Sequence, residues 1–248
     1  LMFRALNAVI VIGRDAEKLL LRYGGMTPAK IRFIPNWATL APGNRPVSPD
    51  NPFRKAIAAR FVVGLSGNLG FTHDPDIVFQ AARLLREERD IHFLLSGWGM
   101  GFARLKDMQA AAQLANVTLV DRVADSELDA LLSSADAWLI PYRKDVAGVS
   151  VPSRFYNLLA AGRPVILVSE PEAEAALTVS ENGLGWVVTP GRPDQLADAV
   201  RLASRSQDTG MAERAVATAR SFSPERALAS YAALVAELLS DRDVERTA

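Results

Sequence analysis

The sequence contains no cysteine and only two histidines, His73 and His92, in 248 residues. The absence of thiols excludes disulfide bonds, cysteine nucleophiles and thiolate metal sites, and two histidines leave little material for a zinc site. No apolar run reaches the roughly 18 residues of a membrane-spanning helix, and the first residues lack the charged, apolar and small-residue order of a signal peptide. These features predict a cytoplasmic protein.

An excess of charge of one sign is also missing. The 28 Lys and Arg residues are balanced by 28 Asp and Glu residues, which gives a net charge of zero. Proteins that bind nucleic acid through phosphate electrostatics carry a marked positive excess, so we expect no nucleic-acid partner. Any site for an anion must therefore depend on a local group of residues and not on the net charge of the chain.

Short apolar segments alternate with amphipathic helical segments over residues 60–222. Six strands separated by helices are typical of a parallel sheet that is covered on both faces. The sequence therefore predicts an α/β fold with a Rossmann-like doubly wound parallel sheet. The predicted strands are residues 61–65, 91–95, 117–120, 137–140, 165–168 and 186–188.

A proline-rich segment separates this domain from a smaller opening unit. Residues 41–59 contain Pro42, Pro46, Pro49 and Pro52, a composition that sustains neither a helix nor a central strand and predicts a linker. Before it, residues 1–40 predict two strands, at 8–12 and 31–34, around a helix at 15–23. After the main domain, residues 223–248 predict a helix from 224 to 239 and a charged tail.

The segment from Gly148 to Val165 places a helix start directly after a buried strand. Pro152 is expected at the first helical position, and Ser150 and Ser153 can cap the helix. Each feature alone is ordinary, because serines often cap helices and arginines are often solvated. Together, the first-turn N–H groups, the Ser153 hydroxyl and the Arg154 guanidinium predict a site for a phosphate.

Three further loops follow predicted strands and should reach the same edge of the sheet. Asn68 and His73 in the first loop can hydrogen-bond a ligand. The second loop, Ser96–Gly101, is similar to a dinucleotide fingerprint, but Phe102 stands where the third glycine is required, which disfavours a nicotinamide site. The third loop carries Arg122, beside backbone groups that can hold a base. The four loops together outline a groove for a nucleoside diphosphate.

No arrangement of residues suggests Ser-His-Asp or Cys-His chemistry. The carboxylates of Glu170, Glu172 and Glu174 are interpreted as an ordinary exposed helix start.

Several short motifs follow one another along the chain, namely Ile34-Pro-Asn-Trp37, Gly67-Asn-Leu-Gly70, Ser96-Gly-Trp-Gly99, Val151-Pro-Ser-Arg154 and Leu159-Ala-Ala-Gly-Arg-Pro-Val165. This ordered set resembles the donor-binding half of retaining GT-B glycosyltransferases, especially the family 4 group that builds bacterial surface polysaccharides. The resemblance implies a nucleotide-sugar-binding domain over residues 60–222. It also implies that residues 1–40 are a remnant of an acceptor-binding domain, onto which the closing helix in residues 223–248 packs back.

The resemblance also implies roles for particular residues. Arg154, assisted by His73 and the helix amides, would neutralise the diphosphate leaving group. Many family members carry two glutamates eight positions apart around this helix, where this chain has Val149 and Asn157, and neither is an ionised carboxylate. The implied donor-binding residues are Asn68, Leu69, Gly70, Gly97, Arg122, Val123, Ser150, Val151, Pro152, Ser153, Tyr156 and Asn157.

The implied reaction transfers a hexose-type sugar, with retention, from a UDP- or GDP-linked donor to a glycan or lipid-linked acceptor. No cofactor and no metal are implied, because no Asp-x-Asp motif lies at a strand end. Most of the acceptor domain is missing, so the chain alone is expected to bind nucleotide without transferring sugar, and the missing half could add peripheral association with the inner face of the membrane.

Two alternatives stay open. The chain could be a donor-binding module whose partner chain supplies the acceptor half. It could also belong to a nucleotide-sugar 2-epimerase, although the scarcity of histidine argues against that reaction.

Overall fold

The computed structural model describes residues 2–247, with side chains described as far as residue 240. The chain opens with a small parallel β–α–β unit. Strand β1 (Val9–Val11) leads into helix α1 (Asp15–Leu20) and returns as β2 (Ile31–Phe33), with Val9 paired to Ile31. In the part of the chain that the structure describes, no further strand joins this two-stranded sheet.

The main domain is a six-stranded parallel sheet in the order β5-β4-β3-β6-β7-β8. Parallel strands joined by helices confirm the predicted doubly wound, Rossmann-like α/β class. The strands are β3 (Phe61–Asn68), β4 (Ile91–Trp98), β5 (Val117–Asp121), β6 (Ala137–Pro141), β7 (Val165–Val168) and β8 (Gly185–Val188).

Two hydrophobic cores lie on the two faces of this sheet. Successive residues of a strand point to opposite faces, so Val63 contributes to one core and Val62 to the other. Helices α2 (Pro75–Leu84), α3 (Met100–Ala112) and α7 (Pro193–Arg205) cover the first face. The second face is covered by α4 (Leu128–Leu132), α5 (Ser153–Ala160), α6 (Glu174–Asn182) and α8 (Met211–Ser221).

The strand order places a crevice at the carboxyl edge of the sheet. The chain builds from β3 through β4 to β5 in one direction, and then continues from β6 to β8 on the other side of β3. Such a reversal of strand order opens a crevice beside the central strands, where ligands of open α/β sheets bind. The loops after β3 and β4 and the start of α5 all face this region.

The segment predicted as a linker contains no helix or strand and lies against the main domain. The Arg54 guanidinium donates to Asp136 at 2.7 Å and to backbone carbonyls, and the Gly43 N–H donates to the Ala160 carbonyl at 2.8 Å. These contacts fix the path of the segment as it approaches α5.

The last helix, α9 (Pro224–Thr247), is longer than the predicted 224–239 and packs against the opening unit. Leu234 and Ala227 are buried against Ile34, with Tyr231 beside them. Leu228 of the same helix is 60 % exposed, so the buried face of α9 is narrow.

Glu174 ties the opening unit to the main sheet. Its carboxylate is 3 % exposed and accepts from the Arg14 backbone N–H at 2.7 Å and from the Arg14 Nε at 2.9 Å. The interpretation of this carboxylate as part of an exposed helix start is therefore wrong. Glu174, the first residue of α6, is buried because it packs against Gly13 and Arg14 in the loop that leads from β1 into α1.

No helix within the described residues combines the length and the apolar character required to cross a lipid bilayer.

Candidate functional site

A cleft of about 340 Å³ opens at the carboxyl edge of the main sheet. Its walls come from the ends of β3 and β4, the loop after β5, the start of α5 and the chain just before the linker. Six of the residues predicted from the sequence line this cleft, namely Asn68, Arg122, Val123, Ser153, Arg154 and Asn157.

The first turn of α5 faces the cleft, but the helix begins one residue later than predicted. Pro152 is the residue before the helix, with extended backbone angles (φ −71°, ψ 114°), and Ser153 is the first helical residue. No side chain caps this helix, and the Ser150 hydroxyl instead lies 3.3 Å from the Tyr142 hydroxyl. The first-turn amides therefore have no side-chain acceptor and can bind an anion.

Arg154 lies between this helix start and the end of β3. Its guanidinium donates to the Ser66 carbonyl at 2.6 Å and to the Asn68 carbonyl at 2.5 Å. Gly67 permits this approach, because its φ of +115° favours glycine and a Cβ there would lie 2.9 Å from the Arg154 Cζ. Burial lowers the pKa of Arg154, yet an arginine remains charged at neutral pH. Arg154 thus brings a positive charge to the N-terminal end of α5.

His73 is buried next to this group but does not line the cleft. Its Nδ1 lies 3.1 Å from the Thr72 hydroxyl, and its ring packs against Tyr142 with the centroids 5.1 Å apart. Burial, and secondly the charge of Arg154, lower the pKa of His73 to about 4. His73 is therefore neutral at pH 7 and adds no positive charge beside Arg154.

The lowered pKa of His73 predicts a loss of stability in acid. The unfolded chain binds the proton near the ordinary pKa of 6.5 and the folded chain near 4, so the contribution is present above pH 6.5 and is lost as the pH falls towards 4. This difference between the two pKa values corresponds to about 3 kcal/mol in the free energy of unfolding. Urea denaturation between pH 7 and pH 4 measures this contribution. As the pH falls, the free energy of unfolding should decrease less for His73→Gln than for the wild type. Equal pH dependences of the two proteins would contradict the lowered pKa of His73.

The other predicted residues do not present side chains to the cleft. Leu69, Val151 and Tyr156 are buried, and the Tyr156 ring packs edge-on against Phe222. Gly97 lies where a Cβ would collide with the carbonyl oxygen of Gly67, so this glycine allows the ends of β3 and β4 to pack closely. Gly70, Ser150 and Pro152 also lie outside the lining of the cleft.

Asn157 lines the cleft, but its side chain is bonded to the chain that precedes the linker. The amide oxygen accepts from the N–H groups of Thr39 at 2.8 Å and Leu40 at 3.2 Å, and the amide nitrogen donates to the Thr39 hydroxyl at 3.0 Å. These bonds hold Trp37 and Thr39 in the cleft wall. Neither residue was predicted as part of the site from the sequence, although Trp37 belongs to the motif Ile34-Pro-Asn-Trp37.

One end of the cleft is formed by Trp98 and by residues that follow β5. Trp98, at the end of β4, is covered on one face by the Arg122 guanidinium, whose carbon lies 4.7 Å from the ring centroid. Val123, Leu128 and Leu132 complete this end. Trp98 was not predicted as a site residue. It lies in the segment Ser96–Gly101, of which only the glycines were compared with a dinucleotide fingerprint.

A second cleft of about 530 Å³ lies between α1 and the loops after β6 and β7. Val149, which is 63 % exposed, lines it together with Asp15, Lys18 and Glu170. The Gly148 N–H donates to Asp15 at 2.7 Å, so α1 of the opening unit contributes directly to this wall. Charged residues of the opening unit therefore lie beside Val149.

The fold and the cleft agree with a comparison of the chain with known protein families. The family described as glycosyl transferases group 1 matches residues 48–222, well over half of the chain. The chain therefore belongs to this family of transferases, which confirms the resemblance to GT-B glycosyltransferases.

Two curated relatives are glycosyltransferases by name. The probable glycosyltransferase WbjE of Pseudomonas aeruginosa is 28 % identical over 202 residues, which are 79 % of this chain and 49 % of WbjE. The putative colanic acid biosynthesis glycosyl transferase WcaI of Escherichia coli K12 is 28 % identical over 184 residues, which are 72 % of this chain and 45 % of WcaI. The chain thus spans about half the length of the curated relatives it matches.

Among solved structures, the chain is similar in fold to HepE of Anabaena, determined in complex with UDP and glucose. The TM-score is 0.67 at 20 % identity, and the match covers 94 % of this chain and 63 % of HepE.

Proposed function

We propose that this chain is the donor-binding half of a retaining glycosyltransferase that takes a hexose-type sugar from a nucleoside diphosphate sugar. The observation that carries the proposal is the position of the first turn of α5, where uncapped amides, the Ser153 hydroxyl and the Arg154 guanidinium meet in one cleft. These groups favour an anion at a single point of a chain whose net charge is zero.

In the proposed reaction, the bond between the anomeric carbon of the sugar and the diphosphate oxygen breaks, and the oxygen of the acceptor hydroxyl bonds to the same face of that carbon. The proton of that hydroxyl passes to the departing diphosphate oxygen. The diphosphate gains negative charge as it leaves. Arg154 and the first-turn amides lie where they can stabilise that charge, whereas His73 lies outside the lining of the cleft. We assign no protein nucleophile, and the proposal requires no cofactor.

The donor is proposed to be a UDP- or GDP-sugar, which the solved complex of HepE with UDP and glucose supports. The acceptor is proposed to be a glycan or a lipid-linked glycan, because the name of WcaI refers to colanic acid biosynthesis. The second cleft, beside Val149, is the proposed place for the sugar and the acceptor. A cytoplasmic location and contact with the inner face of the membrane stay predictions.

Because the chain spans about half of its curated relatives, we propose that it binds the donor but does not complete transfer alone. Transfer would require the acceptor half, in the same polypeptide or from a partner chain. The epimerase alternative is weaker, because neither histidine lines the cleft and His92 lies within β4, hydrogen-bonded to Thr118 at 2.8 Å.

Isothermal titration calorimetry of the chain with UDP, GDP and their sugar conjugates tests the proposal. We expect binding of a nucleoside diphosphate, weaker binding of the matching monophosphate, and no sugar transfer by the chain alone. The monophosphate control matters because the proposed site recognises a diphosphate. Failure of UDP, GDP and all their sugars to bind at millimolar concentration would refute the proposal.

A further inference from the structure

The second cleft carries charges of opposite sign on its two walls. Helix α1 and the turn that follows it supply Lys18 and Arg22 to one wall. The loops after β6 and β7 supply Asp145, Glu170 and Glu172 to the other wall. The cations therefore come from the opening unit and these carboxylates from the main domain.

The two charged residues at the start of α1 are already bonded to the main domain. The Arg14 guanidinium is paired with Glu174 at 2.9 Å and with Glu181 at 3.0 Å. The Asp15 carboxylate accepts from the Gly148 N–H at 2.7 Å. Arg14 and Asp15 thus fix the position of α1 against the main domain.

Lys18 and Arg22, in contrast, are exposed and are available to a ligand. Within residues 2–240, whose side chains the structure describes, neither side chain forms a hydrogen bond or an ion pair. They are four residues apart, so they lie on the same side of the helix, where two like charges repel each other. An anion that enters the cleft would relieve this repulsion.

The carboxylates across the cleft do not neutralise these cations. One oxygen of Glu170 accepts from the Asp145 N–H, and the other oxygen, Oε2, has no hydrogen-bond partner among the described residues. Asp145 and Glu172 are exposed, and neither is paired with Lys18 or Arg22. The charges of the two walls are therefore separated by the open cleft.

We infer that the acceptor carries an anionic group, a phosphate or a carboxylate, that binds to Lys18 and Arg22. This inference rests on the proposed function, which places the acceptor in the second cleft, and it adds the charge of the acceptor. Lysine and arginine form charge-assisted hydrogen bonds with both kinds of anion. The carboxylates of the opposite wall repel an anion, so the charged group of the acceptor faces α1. Its hydroxyl groups then face Glu170, whose carboxylate accepts hydrogen bonds.

The anionic group has two chemical sources, the phosphate of a lipid-linked glycan and the carboxylate of an acidic glycan. Geranyl phosphate and glucuronic acid are the respective probes, and geraniol and glucose are their neutral counterparts. Each is added to the full chain at saturating UDP, which occupies the first cleft, and the backbone amide signals are followed by NMR. We expect at least one anionic probe to shift the signals of α1, with weaker binding of its neutral counterpart. The probe that binds identifies the source of the anion.

The double variant Lys18→Gln/Arg22→Gln tests which residues hold the anion. Its affinity for the anionic probe should be at least about 10-fold lower than that of the wild type, because charge-assisted hydrogen bonds are lost. Its affinity for UDP should be unchanged, because neither residue lines the first cleft. Lys55→Gln/Arg89→Gln is the matched control, since it removes the same charge from exposed positions outside both clefts and should bind the probe as the wild type does.

Equal affinities of Lys18→Gln/Arg22→Gln and the wild type for the anionic probe would overturn the inference. Equal binding of the anionic probe and its neutral counterpart, or failure of both anionic probes to bind, would also overturn it. In each of these cases the binding of UDP, and with it the proposed function, would stand. A wild type that binds neither UDP nor GDP would instead refute the proposed function and remove the acceptor from the second cleft.

Discussion

Replacement of Arg154 by alanine should weaken the binding of UDP and GDP by about 1 to 3 kcal/mol, the range for loss of a charge-assisted hydrogen bond. Its guanidinium donates to the Ser66 carbonyl beside the first turn of α5, and Arg154 lines the cleft in which the diphosphate is proposed to bind. Two of its N–H groups are bonded to carbonyls, which leaves others for phosphate oxygens. Calorimetric titration of the variant measures the loss.

Two further variants make this result specific. Arg154→Lys keeps the charge without the planar array of donors, so its affinity should lie between those of the wild type and the alanine variant. Lys144→Ala removes the same charge from an exposed position after β6, outside the cleft, and should leave the affinity unchanged. Equal affinities for Arg154→Ala and the wild type would place the phosphate elsewhere.

Replacement of Arg14 by alanine should lower the free energy of unfolding by about 2 to 4 kcal/mol, because it leaves a buried carboxylate without its charged partner. Glu174 is 3 % exposed, and Arg14 donates to it from Nε at 2.9 Å and from Nη2 at 3.1 Å. The only other side-chain donor to Glu174 among the described residues is the Thr178 hydroxyl, at 3.2 Å. Urea denaturation of both proteins gives the difference.

The matched control for this second prediction is Glu181→Ala, which removes the other carboxylate that accepts from Arg14. The Glu181 side chain is 51 % exposed, so loss of its ion pair should cost well under about 1 kcal/mol. Glu174→Gln should cost less than Arg14→Ala, because the arginine that remains can still reach water and Glu181. Similar losses in Arg14→Ala and Glu181→Ala would show that the buried ion pair does not join the opening unit to the main sheet.

The fold was largely predictable because short apolar segments alternate with amphipathic helices. The ends of the individual strands and helices were less predictable. The first predicted strand of the main sheet stopped at Leu65, yet β3 continues through Gly67 to Asn68. The extension depends on pairing with β4, where Gly67 lies opposite Gly97. The sequence around Gly67 does not indicate which strand is its partner. Similarly, Pro152 fits the first helical position by type, but its extended ψ places it just outside α5.

The position of Ser153 and Arg154 in the wall of the cleft was predictable, because a helix start determines it. It was not predictable where partners lie far away in sequence. Asn157 bonds to Thr39, 118 residues away, and this contact brings part of the opening segment into the cleft wall. The neutral state of His73 depends on burial against Tyr142 and on the charge of Arg154, which only tertiary packing determines.

A crystal structure of the chain with UDP or GDP tests the central claim most directly. The account predicts that the diphosphate oxygens lie within hydrogen-bond distance of the first-turn N–H groups of α5 and of the Arg154 guanidinium. A diphosphate held away from the start of α5, for instance against Lys18 in the second cleft, would contradict it.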